Sequence, residues 1–124
     1  MIKMNTTDKK YDLEERTARF GEQVISFCKT ISQEPINKPV VIQLVRSSTS
    51  VGANYMEANG AISKSDFKNK IFICKKECQE TKHWLRMLNT CVPEKREEIK
   101  KIWQECQELT LIFGKIGSTL SVKK

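Results

Sequence analysis

The sequence contains few residues that break helices and no stretch that reads as a strand. Three prolines and five glycines are spread over 124 residues, and nothing alternates apolar with polar residues over any length. No apolar run approaches the roughly 20 residues that span a bilayer. The N-terminus, MIKMNTTDKKYD, lacks the apolar stretch of a signal peptide. These absences predict a helical, cytoplasmic protein.

Cysteine and histidine are too few and too irregularly spaced to suggest a metal site or a disulfide scaffold. The five cysteines include no Cys-x-x-Cys pair, and His83 is the single histidine. A structural zinc site needs four ligands at recognisable spacing, whereas disulfide scaffolds combine an even cysteine count with export signals. We expect the cysteines to pack as small apolar side chains, with metal or redox roles as the alternative.

The common catalytic arrangements are also missing. Glu80 and His83 match the Glu-x-x-His element of di-iron bundles, but such a site needs two of these elements and two further glutamates, all projecting inward. No serine has a histidine at helical spacing to activate it. Gly52 and Gly60 are isolated and do not form a phosphate-binding loop. We therefore expect no enzymatic activity, no metal and no cofactor.

Four amphipathic segments fill most of the chain. Apolar residues recur at alternating steps of four and three from Leu13, Phe67 and Ile99 onward, which is typical of helices that bury one face. Pro39 and Pro93 suit the first turns of the second and fourth segments. We predict helices over roughly 12–33, 39–59, 65–89 and 93–117 in a single domain, 1–124. Their short connections predict an all-α, antiparallel up-and-down four-helix bundle.

The second segment raises a question, because VRSSTSVGANYMEA (45–58) combines small residues with two charges. On a helical wheel its polar side chains fall within about 100° of arc. A helix with so narrow a polar strip is buried on most of its circumference. Since a four-helix monomer leaves each helix a wider wet face, we expect this helix to contact another copy of the chain as well. Its small residues would let backbones approach closely.

The two charges of that segment predict a network that sets the register of the helices. Arg46 and Glu57 lie about 16 Å apart along one helix, so they cannot pair with each other. In an antiparallel hairpin, Arg46 comes level with Glu77 and Glu80, and Glu57 comes level with residues 65–66. Paired polar groups of this kind can fix register. The predicted structural network comprises Arg46, Ser50, Asn54, Glu57, Glu77 and Glu80.

The third segment has two notable faces besides its core. A row of cations falls within about 40° of arc. We call it the cationic stripe, and it comprises Lys64, Lys68, Lys75, Lys82 and Arg86. An apolar patch on another side consists of Ile73, Trp84 and Met87. This patch predicts an oligomer interface, and the alternative is a tryptophan that simply lies on the surface.

Positive charge is concentrated in the second half of the chain. The net charge is +7; residues 1–62 carry eight basic and seven acidic side chains, and residues 63–124 carry fourteen and eight. A basic half indicates an anionic partner, nucleic acid first, with solubility alone as the alternative. Because the stripe is mostly lysine with no interleaved aromatic residues, it favours attraction to phosphates over base reading.

The chain resembles a bacterial four-helix bundle family in several motifs that occur in the same order. The motifs are Arg46-Ser47-x-x-Ser50-x-x-Ala53-Asn54-x-x-Glu57-Ala58, Ser65-Asp66-Phe67 and Lys76-Glu77-Cys78-x-Glu80-Thr81-x-x-Trp84-Leu85. Members of this family are encoded in intervening sequences of large-subunit ribosomal RNA genes, or are the accessory variability proteins of diversity-generating retroelements. Cys78 departs from the alanine that is usual in the family.

The resemblance implies a homopentameric ring of bundles that binds RNA or DNA, or both, through a basic surface. In the retroelement branch it also implies contact with a reverse transcriptase. Together with the residue patterns, it predicts a non-catalytic, homo-oligomeric nucleic-acid-binding protein. The alternative is a structural or adaptor protein whose main partner is another protein, such as a reverse transcriptase, with the cationic stripe as the docking face.

Overall fold

Four α-helices and one short 3-10 turn make up the computed structural model, which describes residues 12–122. The helices are α1 (Leu13–Cys28), α2 (Asn37–Asn59), α3 (Lys64–Cys91) and α4 (Arg96–Val122), with the 3-10 turn at Pro93–Lys95. No strand occurs within residues 12–122, and the prediction of an all-α fold is confirmed. Residues 1–11 and 123–124 of the predicted domain lie outside the described residues.

The helix ends differ from the predicted bounds for local reasons. The Ser63 hydroxyl accepts a hydrogen bond from the Asp66 N–H at 3.0 Å, so α3 begins at once after this cap. α1 stops at Cys28, where the backbone tightens into a turn closed by the bond from the Thr30 N–H to the Phe27 carbonyl at 2.9 Å. Ile31 stays buried although it lies beyond the helix, which explains why the apolar period continued past the helix end.

The four helices form a bundle in which each packs against the next along the chain, and α1 also packs against α4. Between α2 and α3, Ser47 contacts Thr81 and the Cys74 thiol lies 3.6 Å from the Val51 carbonyl oxygen. These contacts hold α2 against α3. The largest fully buried side chains come from all four helices and include Phe20, Leu44, Leu85 and Phe113. One continuous core thus lies between the helices.

Small residues bring α1 and α2 into close contact. A Cβ atom added to Gly52 would lie 3.3 Å from the Thr17 Oγ1, and one added to Gly21 would lie 3.5 Å from the Thr49 Cγ2. The Thr17 hydroxyl is itself held by a 2.6 Å hydrogen bond to the Leu13 carbonyl. The small residues of the 45–58 segment therefore serve, in part, the packing of α2 on α1 within one chain.

The cysteines lie mostly in the core. Cys28, Cys74, Cys78 and Cys106 are buried, Cys91 is half-buried, and none forms a disulfide. Burial raises the pKa of the Cys28 thiol to about 11 and that of Cys74 to about 12, since a low-dielectric environment disfavours the thiolate. The Cys106 thiol donates to the Cys78 carbonyl at 3.1 Å. These four thiols therefore lack the exposure of reactive cysteines.

Candidate nucleic-acid interface

The cationic stripe of α3 lies along its border with α4. The Lys75 side chain passes over Gly114, and its Nζ lies 3.6 Å from where a Cβ on that glycine would be. The Lys82 ammonium donates to the Gln107 side-chain oxygen at 2.6 Å. Lys64 and Arg86, at the two ends of the stripe, are exposed. The stripe therefore forms one wall of the α3–α4 border, where a second helix can add to it.

α4 contributes further positive charge to this border. With Arg96 at zero on a helical wheel, Lys100 and Trp103 fall within about 40° of it, on the side that meets α3. The carboxylates of Glu105 and Glu108 turn to the opposite side, where both bind Arg16 of α1 at 2.7 Å. The edge of α4 that faces the stripe is thus cationic and aromatic.

Two exposed aromatic rings lie beside cations of the stripe. The Lys68 Nζ lies 5.8 Å from the centroid of the Phe72 ring, and the Lys82 Nζ lies 5.4 Å from the Trp103 ring. Both separations are within the range of cation–π attraction. The expectation of no interleaved aromatic residues is wrong for the folded chain, because Phe72 of α3 lies about 40° beyond the stripe on the wheel and still contacts Lys68, and Trp103 belongs to α4. A wheel of α4 would have shown Trp103 beside its cations, although not which helix they face.

The cations of the stripe and of the facing edge of α4 form one surface, which we name the basic seam. It comprises the cations Lys64, Lys68, Lys75, Lys82, Arg86, Arg96 and Lys100 and the aromatic residues Phe72 and Trp103. None of these seven cations forms an ion pair with a carboxylate of residues 12–122. Four other cations, Arg16, Arg19, Arg46 and Lys70, are paired, whereas exposed lysines outside the seam such as Lys76 and Lys101 form no ion pair within residues 12–122 either. The positive charge of the seam is therefore uncompensated within the described chain.

One end of the basic seam widens into a groove between α3 and α4. Its volume is about 410 Å³, and Arg86, Asn89, Arg96, Lys100 and Trp103 contribute to its walls. The Asn89 side-chain oxygen is buried and has no hydrogen-bond donor among residues 12–122. The groove thus combines three cations, an indole ring and one unsatisfied amide.

The predicted polar network divides into two cross-helix pairs and a set of bonds within α2. Arg46 binds Glu80 at 2.7 Å and approaches Glu77 at 3.5 Å. Glu57 binds Lys70 at 2.5 Å, one turn further into α3 than the predicted level at 65–66. Both pairs join α2 to α3 and are consistent with a role in register. The remaining two residues bond only along α2, from the Ser50 hydroxyl to the Arg46 carbonyl and from the Asn54 amide to the Ser50 carbonyl.

The two glutamates that face Arg46 have opposite pKa shifts. Burial raises the pKa of Glu77, and the nearby Arg46 guanidinium only partly opposes this effect. The hydrogen bond from Arg46 lowers the pKa of Glu80, which lies nearer the surface. The shared guanidinium therefore stabilises mainly the Glu80 carboxylate.

A buried hydrogen bond that sequence reasoning missed joins the same two helices. The Thr81 and Ser47 hydroxyl oxygens lie 2.9 Å apart, and both residues are fully buried. Thr81 falls on the apolar seam of α3, so its sequence position suggested only a core residue. The partner on α2 becomes apparent only once the register of the two helices is known.

The predicted oligomer patch is partly covered within one chain. Ile73, Trp84 and Met87 are each half-buried, and Trp84 packs against the core and meets the His83 ring edge-on, with centroids 4.9 Å apart. The Trp84 Nε1 is buried and lies close enough to the Glu80 carboxylate to help lower its pKa, but it makes no hydrogen bond of normal geometry within residues 12–122. An interface at this patch stays a prediction, with the indole N–H as its one unsatisfied group.

A more exposed apolar surface lies on α2. Ile42 and Met56 are 56% and 54% exposed, and Ala53 between them is also exposed. Ala53 and Met56, together with Ile25 of α1, border a groove of about 370 Å³ between α1 and α2, and Ile42 lies outside it. The face of α2 that the helical wheel predicted to need a further neighbour is therefore uncovered in a single chain.

The described part of the chain contains neither a cluster of metal-ligating side chains nor a membrane-spanning helix. No group of three or more His, Cys, Asp or Glu side chains within residues 12–122 lies close enough to hold a metal ion. Glu80 is bound to Arg46, and His83 lies against Trp84. No described helix has the length and apolar character needed to cross a bilayer.

Comparison with known proteins gives the family. No curated protein matches the chain. A crystal structure from Bacteroides thetaiotaomicron, described as a protein with unknown function from the S23 ribosomal protein family, aligns with a TM-score of 0.77 and 31% sequence identity. The alignment covers 84% of this chain and 96% of that one. The profile of the 23S rRNA-intervening sequence protein family matches residues 9–115. The chain therefore belongs to the 23S rRNA-intervening sequence protein family.

Proposed function

We propose that this protein is a non-catalytic, homo-oligomeric bundle that binds nucleic acid through the basic seam. The observation that carries the proposal is the set of seven cations along one helix–helix border without a carboxylate partner in the described chain. Phosphate backbones are the common biological ligands of such a surface, because each neutralised phosphate releases condensed counterions. The name of the matching family, which refers to ribosomal RNA, fits this ligand class.

The proposal includes an antiparallel, up-and-down order of the helices. The contacts that support it run in opposite sequence order across α2–α3 and again across α3–α4, where Lys75 lies at Gly114 and Lys82 lies at Gln107. This order sets α3 and α4 side by side along their length. The cations of both helices then form one continuous seam.

Self-association is the second part of the proposal. Large exposed apolar side chains such as Ile42 and Met56 favour burial against another protein surface. We place a copy of the same chain on this face, and the family resemblance supplies the subunit number, five. Ile73, Trp84 and Met87 provide a second candidate contact. The reduced cysteines fit assembly in the cytoplasm.

The binding test reverses three charges in the middle of the seam. Lys68→Glu, Lys75→Glu and Lys82→Glu, combined in one protein, should abolish binding of a labelled oligonucleotide near physiological salt. At low salt, where weak binding is measurable, the slope of log affinity against log salt should fall by about 2, since each lost single-strand phosphate contact removes about 0.7.

A matched control separates the seam from net charge. Lys76, Lys101 and Lys115 are exposed lysines on the same two helices, and they fall about 100–140° from the seam on helical wheels. Their combined replacement by glutamate changes the net charge by the same amount. Binding that weakens equally in both triple variants, each folded by circular dichroism, would show that charge alone and not the seam attracts the ligand.

The alternative partner is another protein, such as a reverse transcriptase. The exposed apolar residues of α2 favour it, because a protein partner can cover Ile42 and Met56 as well as a second copy can. Ala53→Glu places a charge in the middle of this face. If the variant remains oligomeric but loses a co-purifying polymerase, the face serves the protein partner. If the oligomer itself falls apart, the face serves self-association.

A further inference from the structure

We infer that the basic seam binds single-stranded nucleic acid by stacking an unpaired base on Trp103, in the groove at its end. This inference rests on the proposed function and specifies its ligand: a strand whose bases are exposed. Charge alone would favour duplex over single strand, since a duplex carries about twice the phosphate charge per unit length. The aromatic residues of the seam point to the opposite preference.

Trp103 has the surroundings of a stacking platform. Its side chain is 39% exposed although the indole is a large apolar ring, and the Lys82 ammonium lies 5.4 Å from the ring centroid. A base that stacks on this indole comes within reach of the same ammonium, which can bind the adjoining phosphate. Stacking on aromatic rings beside cations is the common mode of sequence-tolerant single-strand binding.

The groove beside Trp103 has suitable size and chemistry for one nucleotide. Its volume of about 410 Å³ lies within the range of small-ligand sites. Arg86, Arg96 and Lys100 border it and can bind phosphate oxygens. The Asn89 amide, whose oxygen has no donor among residues 12–122, has a soft terminal torsion and can turn toward the edge of a base. A nucleotide would thus supply a phosphate to the three cations and a hydrogen-bond donor to the Asn89 side-chain oxygen.

Phe72 marks a second aromatic position further along the seam. It is 45% exposed and lies against Gly117 of α4. Gly117 follows Trp103 by fourteen residues, which is about 21 Å along the axis of α4. Lys75 and Lys82 lie between the two rings. A single strand of several nucleotides can follow this path with a base at each ring, whereas the bases of a duplex are already stacked on one another.

The test compares three labelled ligands of equal length over the same series of salt concentrations: oligo-U RNA, oligo-dU DNA and a mixed-sequence duplex. Fluorescence anisotropy of the full chain should show tighter binding of a single strand than of the duplex. Trp103→Leu should weaken single-strand binding by roughly 5- to 150-fold, the range measured for loss of one base–aromatic stack. It should leave the salt slope and duplex binding unchanged, because no cation is removed.

Trp103→Phe is the control that keeps a ring, and it should restore most of the affinity if stacking is the cause. A loss with Trp103→Leu on both RNA and DNA assigns the effect to the base, and a loss on one of them assigns a sugar preference at the same site. Unchanged single-strand binding by a folded Trp103→Leu variant overturns the inference but leaves the proposed function standing. Wild-type protein that binds none of the three ligands overturns both.

Discussion

Two glycines of α4 allow a sharp test of how closely α3 and α4 approach. Gly114 and Gly117 are three residues apart in one helix, yet an added Cβ meets different neighbours at each. At Gly114 it would lie 3.6 Å from the flexible end of Lys75, an ordinary contact. At Gly117 it would lie 2.9 Å from the Phe72 Cε1, so the ring would have to move.

The expected free energies follow from these distances. Glycine inside a helix costs about 1 kcal/mol relative to alanine, so Gly114→Ala should raise the free energy of unfolding by about that amount. Gly117→Ala has the same intrinsic gain but pushes the 45% exposed Phe72 ring off the helix. This should cost about 1 kcal/mol, the low end of the overpacking range for cores. Its net effect should therefore be zero or destabilising, at least about 1 kcal/mol below that of Gly114→Ala.

Urea denaturation followed by circular dichroism measures both values, provided that the m value and the protein concentration are held constant. The same glycine substitutions in a Phe72→Ala background form the control. In the Phe72→Ala background, Gly117→Ala should raise the free energy of unfolding by about 1 kcal/mol, because no ring opposes the added methyl group. Equal stabilisation by both alanines in the native background would contradict the position of Phe72 against α4, and with it one of the two aromatic positions of the basic seam.

Other predictions concern the α2–α3 pairing and the cysteines. Thr81→Val should lower the free energy of unfolding by about 1 kcal/mol, the usual net contribution of one hydrogen bond, because the Ser47 hydroxyl keeps its 3.4 Å bond to the Leu44 carbonyl. A double-mutant cycle with Ser47→Ala should show a shared energy, and additive losses would refute the contact. Glu80→Gln should cost about 0.5 kcal/mol at pH 7. Because the pKa of folded Glu80 is lowered, this contribution should vanish as the pH falls below about 4.3 and through the folded-state value. Glu77→Gln should be neutral or slightly stabilising at pH 7, because burial raises the pKa of Glu77 and its penalty disappears as the pH falls through that raised value; a pH series of denaturation curves checks both signs. In the native protein Cys91 should react first with a thiol reagent, and rapid reaction of all five thiols would contradict their burial.

The helices could be predicted from the sequence because each buries one face, and a one-sided core imposes a regular apolar period. The end of α1 could not be predicted, because the buried Ile31 continues the apolar period although the helix has ended at Cys28. Burial, and not helical conformation, produces the pattern.

The basic seam illustrates a different limit. The α3 half of the seam was apparent as a row of cations on one wheel, but Trp103 and Lys100 belong to another helix. A wheel shows which residues share a face and not which helix lies beside it. Which edges of α3 and α4 meet depends on helix packing. The position of the Lys82 ammonium over the Trp103 ring shows that these two edges meet.

For the polar residues of α2, helix register could be predicted from the sequence, but individual ion pairs could not. The level of Arg46 with Glu77 and Glu80 followed from counting residues around a hairpin, and the structure places these three side chains together. The partner of Glu57 lies one turn away from the counted level, at Lys70, because long side chains reach along the helix axis. Register can thus be derived from the sequence to about one turn, whereas a particular ion pair depends on side-chain reach.

The central claim is an assembly of several chains that binds nucleic acid. Light scattering in line with size-exclusion chromatography tests it most directly, run first on the protein alone and then with a short single-stranded oligonucleotide. We expect a mass of several 14.3 kDa chains, about five by family resemblance, that rises when the oligonucleotide is added. A mass of one chain that does not change with the oligonucleotide would contradict both the assembly and the ligand.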